Sequence, residues 1–168
     1  MIDRTVQNAP KLVLAASIVA LASAYGSQII DGLHPCVLCL YQRVPYAIAI
    51  ALGLGMLVLE ARGRTDVVRL MLALAGVTFL VGSSIAFFHM GIEQHWWQGT
   101  EECVGTTGAT TLAELEAQIM ASPLTRCDEV SWSLFGVSMA GYNVIASVVL
   151  AGFSFYAATA QKGARSSA

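Results

Sequence analysis

The chain has 168 residues, of which 56% are hydrophobic and only 12% are charged, with a formal net charge of −2. Its mean hydropathy is +0.65. Soluble domains are about half apolar and about a quarter charged, so the composition excludes an ordinary soluble globular protein. We expect no nucleic-acid partner.

The apolar residues are gathered into four runs, at about 12–30, 44–59, 70–89 and 135–160. A helix needs roughly 20 residues to cross a hydrocarbon core about 30 Å thick, and three of the runs approach that length. The second run is shorter, but Leu40 and Tyr41 could extend it. Because backbone polar groups in lipid must be satisfied within the segment, the runs predict helices. The predicted fold is an all-α four-transmembrane-helix bundle, a single domain over residues 1–168.

The first run has a second interpretation. Lys11, the apolar stretch after it and Ala22-Ser23-Ala24 resemble the basic region, core and cleavage site of a signal peptide. The run continues through Ile29 and Ile30, however, which favours a full span that is retained.

Basic residues predict the orientation of the bundle. Seven of the nine lie before the first span, between the second and third, or after the fourth: Arg4, Lys11, Arg62, Arg64, Arg69, Lys162 and Arg165. The positive-inside rule therefore places both termini in the cytoplasm. The outer loops, at about 31–43 and 90–134, then face an oxidising compartment in which disulfides persist.

The second outer loop contains a Gly/Thr-rich stretch at 105–111, which is typical of a flexible connector. Thr111 followed by Glu114 is a capping box and predicts the start of a helix. The apolar residues that follow share one face, namely Leu112, Leu115, Ile119 and Met120. We expect a short amphipathic helix, lying on the membrane interface or packed on protein.

All four cysteines fall in the outer loops, as the pair Cys36/Cys39 and the pair Cys103/Cys127. The first pair is a C-x-x-C at the start of a helix, where amide groups and the helix dipole favour a thiolate. The second pair encloses 23 residues, so Cys103 could pair with Cys127 or meet Cys36 by thiol–disulfide exchange. The pattern predicts electron transfer between thiols.

Two other interpretations of the cysteines remain. Two structural disulfides in a non-enzymatic membrane scaffold would also explain an even count. A four-cysteine zinc site is disfavoured because the spacing of Cys103 and Cys127 differs from the usual C-x-x-C doublets, and we predict no metal.

Arg43 lies four residues after Cys39 and seven after Cys36, on one helical face. Its guanidinium could stabilise a thiolate or bind a quinone carbonyl oxygen, or it could extend to the lipid headgroups. His89 closes the third span and could donate a hydrogen bond to a quinone oxygen or simply be satisfied at the interface.

The stretch Pro35-Cys36-Val37-Leu38-Cys39-Leu40-Tyr41-Gln42-Arg43, the four spans and the Cys103/Cys127 loop resemble the DsbB family of bacterial inner-membrane disulfide-forming proteins. The segment from Cys127 through Trp132 and Gly136 to Asn143 resembles that family's entry into its last span. Position 42 is a glutamine where well-known members carry an acidic residue, so a role for that carboxylate is in doubt.

The resemblance implies a quinone-dependent thiol:disulfide oxidoreductase with its redox cysteines facing the periplasm. Cys103 would be attacked by a DsbA-like thioredoxin-fold oxidase, with Cys127 as its resting disulfide partner. Cys36 would exchange with Cys39, and Cys39 would contact ubiquinone or menaquinone beside Arg43 and His89. Partners would be that oxidase, the membrane quinone pool and the lipid bilayer. A vitamin-K-epoxide-reductase-like enzyme is an alternative, although its C-x-x-C belongs late in the chain.

Overall fold

The computed structural model of the protein describes residues 2–100, 103, 111–121 and 125–166. These residues form seven helices: α1 (Ile2–Gln7), α2 (Ala9–Ile30), α3 (Val37–Tyr41), α4 (Arg43–Ala61), α5 (Thr65–Glu93), α6 (Leu112–Ala121) and α7 (Met139–Ser166). Two short strands, β1 (Ser133–Leu134) and β2 (Val137–Ser138), pair antiparallel in a hairpin, with Ser133 opposite Ser138 and Leu134 opposite Val137.

Four segments are long and apolar enough to cross a membrane, which confirms the predicted four-helix architecture. They are Ala9–Ile30 with 22 residues, Val37–Ala61 with 25, Thr65–Glu93 with 29 and Met139–Ala160 with 22. Sheet is confined to the two-residue strands within the described residues.

The second span starts earlier than the apolar run suggested and is interrupted at Gln42, between α3 and α4. Pro45 explains the interruption, because a proline has no N–H and its ring clashes with the carbonyl four residues before it, at Tyr41. The break turns the Gln42 side chain inward, where it is buried.

The predicted start of the fourth span, at 135, was wrong, because its helix begins at Met139. Phe135 and Gly136 have φ angles of 51° and 79°, a left-handed conformation that forms the turn between β1 and β2 and cannot continue a helix. Ser138 then caps α7, since its hydroxyl oxygen accepts the Gly141 N–H at 3.2 Å.

The bundle packs in the order α2, α4, α5 and α7, and α5 and α7 share the most extensive interface. Small residues allow the helices to approach closely. A Cβ atom at Gly53 would lie 2.9 Å from the Leu14 Cβ, and one at Gly76 would lie 2.9 Å from the Phe155 ring. The side chains of Phe79, Met56 and Leu72 are fully buried between the helices.

The outer surface of the bundle is apolar, as a lipid-facing surface should be. Ile18, Val58, Leu80 and Val149 are each about half exposed or more. Buried hydroxyls are satisfied locally, as where Ser17 donates to the Val13 carbonyl at 2.8 Å.

The capping box that we predicted in the second outer loop is present. The Thr111 N–H donates to Glu114 Oε2 at 3.1 Å, and the Glu114 N–H donates to Thr111 Oγ1 at 3.2 Å. Leu112 and Met120 are exposed, and the side chains of Leu115 and Ile119 lie outside the described residues. The amphipathic character of α6 therefore stays a prediction. The predicted connector lies outside the described residues except for Thr111.

Candidate functional site: a cysteine-lined cavity at one end of the bundle

One cavity, of about 110 Å³, opens at the end of the bundle where α3 begins and α5 ends. Four of the predicted site residues line it: Cys36, Cys39, Arg43 and His89. Apolar residues of α2 close one wall, including Ala20, Leu21 and Ala24. The segment before α7 contributes Arg126, Glu129, Ser131 and Trp132. The cavity thus joins a thiol pair to an apolar surface that continues along the spanning helices.

Cys36 and Cys39 are held together by the first turn of α3. Cys36 is the N-cap residue, and its sulfur accepts the Cys39 backbone N–H at 3.3 Å. The two sulfur atoms lie 2.8 Å apart, and both cysteines are free thiols. Cys36 is buried at 3% exposure, whereas Cys39 is more accessible. Cys39 is therefore the better-placed sulfur to meet a molecule that enters the cavity.

Cys36 lies just before the spanning helix, in an environment that favours its thiolate. The hydrogen bond with the Cys39 sulfur lowers the pKa of the Cys36 thiol, and the hydrogen bond with His89 lowers it further, against the opposing effect of burial. The net pKa lies well below the ordinary value of a thiol. A thiolate is the nucleophilic form in thiol–disulfide exchange.

We expect this lowered pKa to appear in the pH dependence of alkylation. An ordinary thiol loses reactivity by about tenfold per pH unit below its pKa, whereas Cys36 of the reduced protein should react at a nearly constant rate between about pH 8 and 6. Mass spectrometry of the alkylated Cys36 peptide measures this rate. His89→Phe should restore a steeper decline on the acidic side, and a wild-type decline as steep as that of the unfolded chain would contradict the assignment.

His89 is fixed between the thiol pair and a chain of buried polar groups. Its Nε2 lies 3.5 Å from the Cys36 sulfur, and its Nδ1 lies 2.8 Å from Gln42 Nε2. Asn143 Nδ2 donates to Gln42 Oε1 at 2.5 Å, and Tyr46 donates its hydroxyl to Asn143 Oδ1 at 2.5 Å. Each group is thus oriented by the next, which fixes the imidazole against Cys36.

A buried carboxyl group completes this cluster. Glu93 lies one turn after His89 on α5, and its Oε1 is 3.9 Å from His89 Nε2. Ser138 donates its hydroxyl to Glu93 Oε2. Both side chains of the His89/Glu93 pair are only 5% exposed.

Arg43 lies at the wall of the cavity that α2 forms. Its Nη1 donates to Gln28 Oε1 at 3.1 Å, and its guanidinium lies over the Tyr25 ring at 4.5 Å. These contacts with α2 leave its other N–H groups available to the cavity that it lines.

Cys103 and Cys127 form a disulfide, the pairing that the family resemblance implied. Both residues are buried at 1% exposure or less, in the same cluster as Cys36, Leu38 and Ile92. The Cys127 N–H donates to the Cys103 carbonyl at 3.0 Å. The fold therefore brings the two cysteine pairs into one buried cluster.

Among the described residues, one group has the ligand atoms and spacing to hold a metal ion: Cys36, Cys39 and His89. Two thiolates on one tetrahedral zinc ion lie about 3.7 Å apart, given a Zn–S distance of about 2.3 Å. The observed sulfur separation of 2.8 Å is shorter and suits sulfur–sulfur chemistry better.

Three further side chains near the cysteine pairs make contacts of their own. His34 lines the cavity, but its Nδ1 contacts the Gly32 carbonyl at 3.0 Å. Arg126 pairs with Asp128, and its guanidinium holds the pKa of the Asp128 carboxyl below its usual range. Trp97 stacks on Phe88 and donates to the Phe88 carbonyl at 3.0 Å.

Sequence reasoning missed Glu93, Ser138, Gln28 and Tyr46 as parts of this site. Glu93 had a visible signal, because an acidic residue four positions after His89 shares its helical face. Asn143, which the family resemblance placed at the entry to the last span, donates a hydrogen bond to Gln42 within the bundle.

A bundle with four spanning helices and a thiol pair at the mouth of an apolar cavity defines a membrane-embedded thiol protein. The family described as "Disulfide bond formation protein DsbB" matches residues 7–157, and the chain belongs to this family. Membership supports a role as a disulfide-forming thiol oxidoreductase and, with the four apolar helices, a multi-pass membrane protein.

Individual relatives agree with this assignment. A Haemophilus influenzae Rd protein named "Disulfide bond formation protein B" is 30% identical over 136 residues, covering 79% of this chain and 72% of that protein. A protein of the same name from another strain is 29% identical with the same coverage. An uncharacterized protein of Rickettsia prowazekii is 23% identical over 142 residues, covering 83% of this chain and 80% of that protein. No solved structure matches the chain.

Proposed function

We propose that the protein reoxidises the dithiol of a soluble thioredoxin-fold oxidase and passes the electrons through its two cysteine pairs to a membrane quinone. The observation that carries this proposal is the meeting of both pairs in one buried cluster beside an apolar cavity that contains Arg43 and His89. Adjacent pairs allow thiol–disulfide exchange, and an apolar cavity at the end of a spanning bundle suits a lipid-dissolved ring.

Two electrons pass from the partner dithiol to the quinone in three successive steps. A dithiol of the partner attacks the Cys103–Cys127 disulfide at Cys103 through a mixed disulfide, and the partner leaves oxidised. The Cys103/Cys127 dithiol then reduces a Cys36–Cys39 disulfide. Cys36 and Cys39 finally re-form their disulfide and give two electrons and two protons to the quinone, which becomes a hydroquinone.

The residues of the cavity divide the last step between them. Cys39, the more accessible sulfur, contacts the quinone, which is ubiquinone or menaquinone. Arg43 binds a carbonyl oxygen of the ring and stabilises the negative charge that develops there. His89 holds the Cys36 sulfur at 3.5 Å and can donate a hydrogen bond within the cavity.

The proposed location is the bacterial inner membrane, with both termini in the cytoplasm. Arg62, Arg64 and Arg69 lie in or beside the turn from α4 to α5, opposite the end that carries the cysteines. The positive-inside rule then places the cysteine pairs in the periplasm, where a soluble oxidase can reach them. Because Cys103 and Cys127 are buried, their disulfide must become exposed before the partner attacks.

Reconstituted turnover tests this function. The protein in lipid vesicles is mixed with a reduced thioredoxin-fold oxidase and ubiquinone, and the loss of quinone absorption is followed with the loss of free thiols. We expect one quinone reduced for each disulfide formed. Thiol oxidation that continues at the same rate without quinone would contradict the proposal.

Arg43→Met tests the quinone side of the cavity. A hydrogen bond to a charged group contributes about 1.5–3 kcal/mol, so we expect the KM for quinone to rise by roughly ten- to a hundredfold. Arg43→Lys should recover part of the loss, because lysine keeps the charge but not the planar fork. Arg126→Gln is the matched control, since Arg126 lines the same cavity but its guanidinium is hydrogen-bonded to Asp128. An equal rise in the KM for quinone in Arg126→Gln would contradict a specific contact between Arg43 and the quinone.

A further inference from the structure

Glu93 is a buried carboxyl group that the proposed electron path does not use. It lines the cavity together with Cys36, Cys39 and His89, and its side chain is 5% exposed. Among the described residues no lysine or arginine forms an ion pair with it, and its basic neighbour is His89, whose Nε2 lies 3.9 Å from Oε1. Burial disfavours a charge on such a group, so its protonation state is coupled to the other charges of the site.

The hydroxyl of Ser138 determines which oxygen of Glu93 can carry a proton. Ser138 accepts the Gly141 N–H at 3.2 Å as the cap of α7, and it donates its own hydrogen to Glu93 Oε2. Oε2 therefore acts as an acceptor. A proton on Glu93 would sit on Oε1, the oxygen that faces His89.

The chain of amides behind His89 determines the tautomer of the imidazole. Gln42 uses Oε1 to accept from Asn143, so it presents its N–H to His89 Nδ1 at 2.8 Å. Nδ1 is then an acceptor, and the imidazole proton lies on Nε2, 3.5 Å from the Cys36 sulfur. A second proton on the ring would have to occupy Nδ1 against a facing donor. The donor at Nδ1 disfavours a second proton on His89, and Glu93 is the neighbouring group that remains to take a proton.

We propose that Glu93 holds one of the two protons that accompany reduction of the Cys36–Cys39 disulfide, which keeps the charge of the buried site constant. When a dithiol breaks this disulfide, it supplies two electrons and two protons. Cys39 takes one proton and Glu93 Oε1 takes the other, while Cys36 becomes a thiolate that accepts the Nε2–H of His89.

The site then carries one negative charge in both states, on Glu93 when oxidised and on Cys36 when reduced. A second negative charge in a cavity of low dielectric constant would be strongly unfavourable. In the final step the Cys36–Cys39 bond re-forms, two electrons pass to the quinone, and the protons of Cys39 and Glu93 go to its oxygens. Only this last step rests on the proposed function.

The other titratable groups around the cavity have their own partners in the described structure. Arg43 binds Gln28, Tyr46 binds Asn143, His34 contacts the Gly32 carbonyl, and Arg126 pairs with Asp128 and Glu129. Glu93 is the carboxyl group next to the imidazole that contacts the thiol pair.

Infrared difference spectroscopy tests this proposal directly. The full chain in lipid, freed of quinone, is recorded before and after reduction by dithiothreitol. We expect reduction to produce the C=O stretching band of a protonated carboxyl group, shifted in heavy water. The band should be lost in Glu93→Gln and retained in Glu129→Gln, the matched control from the same cavity.

Ser138→Ala provides a second variant in case Glu93→Gln does not fold. Loss of the hydroxyl that donates to Oε2 should shift the band without removing it. A merely structural role for Glu93 would produce no band on reduction. Absence of the band in the wild type, or its persistence in Glu93→Gln, would overturn the proposal, as would a band that Ser138→Ala leaves unshifted.

The measurement contains no quinone, so it separates this proposal from the proposed function. A band that behaves as expected in a protein that does not reduce quinone would contradict the quinone step alone. Quinone turnover without the band would contradict the role of Glu93 alone.

Discussion

Cys39→Ser should lower quinone reduction by at least about a thousandfold, because the variant lacks the sulfur that we propose meets the quinone. Cys39 is the more accessible sulfur of its pair, and its contact with Cys36 at 2.8 Å is the one that becomes a disulfide when electrons leave. Cys36, whose sulfur caps α3 by accepting the backbone N–H of residue 39, is unchanged in this variant, so the fold should survive. The initial rate of quinone absorption loss measures the effect.

The same variant should still react with the partner at the other cysteine pair. Cys103 and Cys127 remain joined in Cys39→Ser, so a reduced thioredoxin-fold oxidase should be oxidised once per protein molecule and then stop. Free-thiol counting after mixing distinguishes this single exchange from turnover. Continued turnover in Cys39→Ser would show that electrons reach the quinone by another route.

Cys103→Ser/Cys127→Ser should have the second largest effect, on the opposite half of the path. Turnover with the thioredoxin-fold partner should fall by about a thousandfold or more, because the disulfide that we propose the partner attacks is missing. Changing both residues avoids a lone thiol that could pair with Cys36 in the shared cluster. Turnover should be assayed with the partner and, separately, with dithiothreitol as the electron donor.

Dithiothreitol acts as the control for folding in this double variant. Loss of a disulfide of this loop length destabilises a protein by roughly 2–4 kcal/mol, so a general loss of structure must be distinguished from a lost exchange. We expect dithiothreitol, which is small enough to reach Cys39, to keep supporting quinone reduction. Unchanged turnover with the protein partner would show that the Cys103–Cys127 disulfide lies off the path.

The spans and the cysteine pairs could be predicted because each is a local property of the sequence. Each of the four apolar runs predicts a helix regardless of how the helices pack, because in lipid the backbone N–H and C=O groups can hydrogen-bond only with each other. The C-x-x-C at the start of a helix likewise sets the 2.8 Å sulfur contact through one turn of backbone. The false start of the fourth span at 135 arose because Phe135 and Gly136 are apolar but adopt left-handed turn geometry.

The polar network around His89 could not be predicted in the same way. Gln42, Asn143 and Tyr46 are separated by up to about a hundred residues, and only the packing of α4 and α7 on α5 brings them together. Ser138 reaches Glu93 because the hairpin delays the start of α7. The role of Gln42 as the donor that orients His89 follows from this packing and not from the sequence around position 42.

The most direct test of the central claim is the visible absorption of the protein with bound quinone. In Cys36→Ser the Cys39 thiol cannot form its disulfide, so it should remain in contact with the quinone. We predict a coloured thiolate–quinone band when ubiquinone is added to this variant in lipid, and no band in Cys36→Ser/Cys39→Ser. A colourless Cys36→Ser protein that binds quinone would show that the thiol pair and the quinone do not share this cavity.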